Sequence, residues 1–251
     1  GTKFKNLQNI AVFFAKIPVN IKFVIKNRNI SGDIISPINK EPIKEKKFFN
    51  KNVDISRSEL ILISRHDGDL GRSVVELRDL NTFEVLHSYA PDINIMYEKI
   101  DLNKESFKDL QKDLGVNRFY INHPAITNNG DLIVQSTSPL MKFNLDGKLL
   151  WINDEYLYHH SINFDLDENI YVPSFIYPYS EKIKKLFKKL RWETLENTYG
   201  KYMDDGITIL DPNGKIIYLK SVTEILIENN LLHRLFSQQE FKQDPIHLND
   251  I

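Results

Sequence analysis

Two adjacent histidines, His159 and His160, open the stretch HHSINFDLDENIYV at residues 159–172. A third, His123, leads into the apolar run of GDLIV, and a fourth, His247, stands two residues before Asn249 in DPIHLND. Imidazole is the side chain that changes charge near neutral pH. Its neutral form is a base and nucleophile, and its cation gives up a proton or meets an anion. His123, His160 and His247 each begin a β-rich block, so one reading gathers them at a shared polar site fed by several strands. The other has each histidine cap its own strand by bonding a carbonyl. In a strand, His247 and Asn249 would point to the same face, an imidazole and an amide on one wall. The alternative for that pair is a polar edge strand. Strand alternation keeps His159 and His160 off a common face, so His160 is expected to look inward and His159 to pack or cap at the strand entrance.

Other stretches offer weaker chemistry. Phe175, Tyr177 and Tyr179 form an aromatic cluster that fits either a channel mouth for an aryl ligand or ordinary packing. SEKIKKLFKKLRWE, residues 180–193, places Ile183, Leu186, Phe187 and Leu190 on one helical stripe among lysines. Such a helix, over 181–192, either lies on an anionic membrane or packs its stripe on the body with its lysines solvated; the second reading is preferred. RHDGDLGR, residues 65–72, sets Asp67 near Asp69 but has no further oxygen ligands at cation-loop spacing, so it reads as a turn, with Arg65 or Arg72 near the channel. The sequence has no Gly-rich phosphate loop, no metal-ligand pair on a helix and no serine elbow. No metal or cofactor site is expected.

The elements that would position these residues are short strands. ELILISR (59–65), SVVELRDL (73–80) and NTFEVLHSY (81–89) are the first; residues 123–151 add two hairpin signals, Asn129-Gly130 and Asp146-Gly147, each between apolar runs. HHSINFDLDENIYV resumes at DGITILDPNGKIIYL (205–219), and DPIHLNDI (244–251) would start a further unit as a strand. These blocks repeat one plan of strands and tight turns, which is the pattern of a β-propeller whose small sheets cannot bury both faces alone. The fold class is therefore all-β: a partial, truncated β-propeller, about three blades of an expected six. Helical insertions are expected at 103–115, at 181–198 and at 221–241, the last opened by a capping box from Ser221 to Glu224. Residues 1–58 read as an N-terminal helical and irregular lead-in, with helical spacing over 5–16, and residues 59–251 as the propeller blades.

Composition sets the outer limits. A chain of 251 residues that is 41% hydrophobic can build a sizeable core. A formal net charge of −1 gives no global field for nucleic acid, so no nucleic-acid partner is expected. With no cysteine, disulfides and thiolate metal sites are excluded. The apolar run 11–15 is too short for a membrane span or a signal core. The chain starts at Gly1 and stops at Ile251 inside an expected strand, so both ends read as cut, with an anchor or targeting segment upstream and more blades downstream.

HHSINFDLDENIYV, the hairpin LDPNGKIIY and above all DPIHLNDI resemble the bacterial aryl sulfate sulfotransferase family. The resemblance is best over 117–251, loose over 59–116 and absent over 1–58. It implies a six-bladed propeller with its active site at the channel, moving a sulfuryl group from a phenolic sulfate to another phenol without a nucleotide donor or a metal. A histidine is transiently sulfated. By motif, His160, or else His159, would be one channel histidine, and His247 with Asn249 would contact the sulfuryl oxygens; His123, His159 and Tyr177 would line the substrate site. The nucleophilic histidine and a sulfate-binding arginine would fall in later blades, beyond Ile251. The partners implied are a small aryl sulfate and a phenol, and the place a periplasmic or membrane-anchored one in the cell envelope. The rival reading is a non-catalytic propeller that binds a ligand or a protein.

Overall fold

The computed structural model describes residues 59–101, 103–104, 119–136, 138–190, 202–236 and 244–251, all within one unit of the chain, 49–251. The expected lead-in at 1–58 lies outside the described residues, as does the insertion helix expected over 103–115 apart from residues 103 and 104, which form a turn and a bend.

Among the described residues the body is three antiparallel sheets, none closed on itself. Sheet A is β1 (Leu60–Asp67), β2 (Arg72–Asp79) and β3 (Val85–Tyr89), in that order. Sheet B is β4 (Asn122–Ile126), β5 (Leu132–Gln135), β6 (Leu140–Phe143) and β7 (Leu149–Asn153), again in chain order. Sheet C runs β12 (Ile216–Ser221), β11 (Asp205–Leu210), β10 (Ile170–Phe175), β8 (Leu157–Tyr158), with β9 (Asn163–Phe164) also paired to β10. A helix α1 (Asn94–Lys99) follows sheet A.

Period-two alternation explains why sheet B lies between the other two. Leu132, Val134, Met141 and Phe143 share one face and pack with Val75 and Tyr89 of sheet A and with Ile93 and Met96 at α1. Ile133 and Leu140 take the opposite face and pack with Tyr158, Ile170, Val172 and Leu210 of sheet C. The strands LIVQ and LMKF are accordingly buried on both sides. Lys142, which pairs with Ile133 on the face toward sheet C, is buried and is matched there by Asp131 at 3.1 Å.

Four tight turns share one hydrogen-bond plan. At 127–131, 144–148, 165–169 and 211–215 the first residue's N–H donates to the fifth residue's carbonyl. In each, the N–H of the fourth residue donates back to the first carbonyl. That fourth residue has positive φ in every case: Gly130 (87°), Gly147 (78°), Glu168 (59°) and Gly214 (81°). This is a type I turn closed by a left-handed residue, which glycine adopts without a Cβ penalty. Three of these turns also bind one sheet to the next. Trp151 Nε1 donates to Pro212 O (3.1 Å), Asn153 Nδ2 to Gly214 O (2.8 Å), and Asn128 N–H to Glu168 Oε1 (2.7 Å).

The basic insertion forms α2 (Glu181–Lys189), capped by Ser180. Its stripe faces the protein: Ile183 and Leu186 are buried, and Phe187 meets Tyr179 and Tyr202 edge to face. The third insertion is helical over its described residues. It consists of α3 (Val222–Glu228), capped where Ser221 Oγ accepts Glu224 N–H, and a 3-10 turn over Leu232–Phe236. Glu224 does not complete the capping box; its carboxylate meets Lys220 instead. Residues 191–201 and 237–243 lie outside the described residues.

Candidate active site

The histidines of three separate segments meet at the first strands of sheets B and C. His160 stands in the middle. Its ring lies 6.2 Å from that of His123, 5.2 Å from that of His247 and 4.9 Å from that of His159, all at steep interplanar angles. Backbone irregularity aims them. In sheet B, Asn122 pairs with Gln135 and Ala125 with Ile133, so His123 and Pro124 together oppose Val134 in a bulge. In sheet C, Tyr158 pairs with Ser174 and Asn163 with Tyr171, leaving residues 159–162 against only Val172 and Pro173. His123 (φ 46°), His160 (φ 58°) and His247 (φ 50°) all adopt the left-handed region. That conformation costs an L-residue about 1–3 kcal/mol and recurs where a fold re-aims functional side chains.

The same irregularity separates the two adjacent histidines. His159 is 6% exposed and stacks on Phe175 with ring centres 4.1 Å apart. Its Nε2 lies 3.1 Å from Asp205 Oδ1 but off the line of a hydrogen bond, so neither ring nitrogen has a hydrogen-bond partner among the described residues. His160 is half-buried between His123 and His247, and Gln135 Nε2 from sheet B holds its carbonyl at 2.8 Å. Burial, followed by the neighbouring His159, His247 and His123, pushes the His160 pKa below its ordinary 6.5; Asp205 opposes the shift. The neutral imidazole is therefore the favoured form.

The segment 244–251 is not the regular strand its pattern suggests. It bends at 244–246 and then runs beside residues 161–163 without joining the ladder. Ser161 N–H donates to Asn249 O (3.3 Å), and Asn163 Nδ2 donates to Asp250 Oδ1 and Ile251 O. Leu248 N–H donates to Oδ2 of the fully buried Asp205 (3.3 Å). The positive φ at His247 breaks the alternation, so the shared wall of His247 and Asn249 is not that of a strand; both residues are exposed. Asp244 grips His247: Oδ1 accepts the His247 N–H (3.1 Å) and Oδ2 meets Nδ1. This bond and the carboxylate's charge raise the His247 pKa, with Asp205 adding to the effect.

Four of the chain's seven histidines thus form one cluster. Tyr177 joins a different group, edge to face with Tyr179 at 5.4 Å beside α2, and the aromatic ring beneath the histidines is Phe175. Arg65 is tied to Glu76 and Asp67, and Asp67 closes a turn by accepting the Asp69 and Leu70 N–H groups. Sequence reasoning missed Asp205 and Asp244. Asp244 carried a local signal, a carboxylate three residues before a histidine with proline between; Asp205 carried none, because its contacts span more than forty residues.

A neutral imidazole beside a cationic one can hold an oxyanion and hand a proton to a leaving group. A search of curated proteins returned no match to this chain. A family model, arylsulfotransferase (ASST), matches residues 119–251, which is more than half of the sequence and holds every histidine of the cluster. The chain belongs to the arylsulfotransferase family.

Proposed function

We propose that the histidine cluster is part of a sulfuryl-transfer site at the axis of a β-propeller, of which sheets A, B and C are successive blades. The observation that carries this reading is the convergence of His123, His160 and His247 from separate segments, each on the same left-handed backbone. Face-to-face packing of sheet B between A and C and the shared turn plan support the blade assignment. Membership of the arylsulfotransferase family supports the choice of a small aryl sulfate as donor and a phenol as acceptor.

In this proposal a histidine nitrogen attacks sulfur and the S–O bond to the aryl group breaks. The aryl oxygen leaves with a proton from an imidazolium, and the sulfuryl group rests on the attacking histidine. An acceptor phenol then attacks sulfur, the N–S bond breaks, and the phenol's proton passes to an imidazole. Charge builds on the sulfuryl oxygens as it does in phosphoryl transfer, so positioned N–H donors do most of the work. His247 and Asn249 are assigned to those oxygens. His160, with His159 behind it and His123 beside it, completes the wall. A cell-envelope setting goes with this reading.

The test is release of 4-nitrophenolate from 4-nitrophenyl sulfate by the full-length protein with a phenol acceptor. His247→Ala and Asn249→Ala should each lower turnover by about one to a few kcal/mol in barrier while leaving the melting temperature nearly unchanged. Folded protein that binds the aryl sulfate without turnover would favour the non-catalytic propeller instead.

A further inference from the structure

The grip of Asp244 on His247 goes beyond what a turn needs. Both oxygens of one carboxylate engage one residue, Oδ1 its main chain and Oδ2 its ring. Pro245 restricts the chain between them, since its ring fixes φ and biases the preceding residue to extended backbone. On the far side of His247, Leu248 N–H is held by Asp205 and Asn249 O by Ser161 N–H. The histidine is thus fixed before, at and after its own position, on a backbone conformation that an unconstrained histidine avoids.

We propose that Asp244 is the positioning residue of His247: it takes up Nδ1, fixes the tautomer, and leaves Nε2 as the nitrogen offered to substrate. A carboxylate on one ring nitrogen sets the direction and basicity of the other, the arrangement that orients histidines in triads and metal sites. The charged and titratable groups around His247 are Asp244, Asp205 and His160. Two of the three are carboxylates, and Asp244 is the one in contact. The assignment rests on the sulfuryl-transfer reading only for the identity of the group that Nε2 meets.

The experiment separates the two. Nitrogen-15 NMR of the histidine rings in the full-length protein reads the tautomer and titration of His247 without any substrate. The neutral ring should carry its proton on Nδ1, and its pKa should lie above 6.5. Asp244→Asn should move that pKa down and mix the tautomers; Asp244→Glu should restore part of both. In turnover, Asp244→Asn should cost about 10- to 100-fold at neutral pH, with the alkaline limb of the pH profile moving down alongside the NMR value. An Nε2–H tautomer in the unaltered protein, or an unchanged titration in folded Asp244→Asn, overturns the proposal. Expected NMR behaviour without any aryl sulfate turnover leaves Asp244 as the positioning residue and removes the sulfuryl-transfer reading.

Discussion

The histidines of the cluster are driven apart in basicity by what touches them. His160 loses solvent and faces three other imidazoles, which disfavours its cation. His247 is exposed and bonded to a carboxylate, which favours its cation. A donor that must be protonated beside a group that must be neutral gives a bell-shaped profile. In the proposed site, with His160 neutral in its wall and His247 protonated against the sulfuryl oxygens, the acid limb should follow His160 below pH 6.5 and the alkaline limb His247 above it. Turnover of 4-nitrophenyl sulfate across pH 5–9 should therefore peak between them. His247→Gln should erase the alkaline limb and keep the acid one. Stability follows the same signs. The raised His247 contributes stability that is complete below the unfolded value and is lost as pH rises through the folded one; the depressed His160 costs stability as pH falls below the unfolded value. A profile with both limbs unmoved by His247→Gln would assign the titration to other groups.

At the scale of the element, the turns were legible because their chemistry is local. Asn129-Gly130 and Asp146-Gly147 announce a left-handed fourth position, and the structure has glycine there with φ of 87° and 78°. The bulges were not legible. An extra residue in a first strand leaves the same residue types in the same order, and only its pairing partners, Val134 or Val172 and Pro173, reveal it. For the same reason 244–251 reads as a strand from its pattern, although Asp205, Ser161 and Asn163 hold it as an irregular segment. Two of the turn glycines separate backbone strain from contact between sheets. A Cβ at Gly147 would meet nothing, so Gly147→Ala should cost only the left-handed penalty, about 1 kcal/mol. A Cβ at Gly214 would lie 2.6 Å from Trp151, whose indole donates to Pro212. Gly214→Ala should cost clearly more in urea unfolding. Equal costs would mean that the clasp between Trp151 and the 211–215 turn contributes nothing to stability.

At the scale of the molecule, the site depends on the interface between sheets B and C more than on that between A and B. His123 comes from β4, His159 and His160 from the interrupted first strand of sheet C, and Gln135 of β5 holds the His160 carbonyl. Leu140 fills the B–C interface and Leu132 the A–B interface, both fully buried. Truncating either to alanine should cost about 2–5 kcal/mol, because each leaves a cavity in a close-packed layer. Their effects on chemistry should differ. Leu140→Ala loosens the layer that sets the spacing of His123 and His160, so turnover should fall at temperatures where the protein is still folded. Leu132→Ala should lower stability to a similar extent and spare turnover. Unfolding should stay a single transition in both, with tryptophan fluorescence and the far-ultraviolet signal changing together, because sheet B shares a core with each neighbour. If Leu132→Ala slowed turnover as much as Leu140→Ala did, the histidines would owe their alignment to the whole stack rather than to the two sheets that carry them.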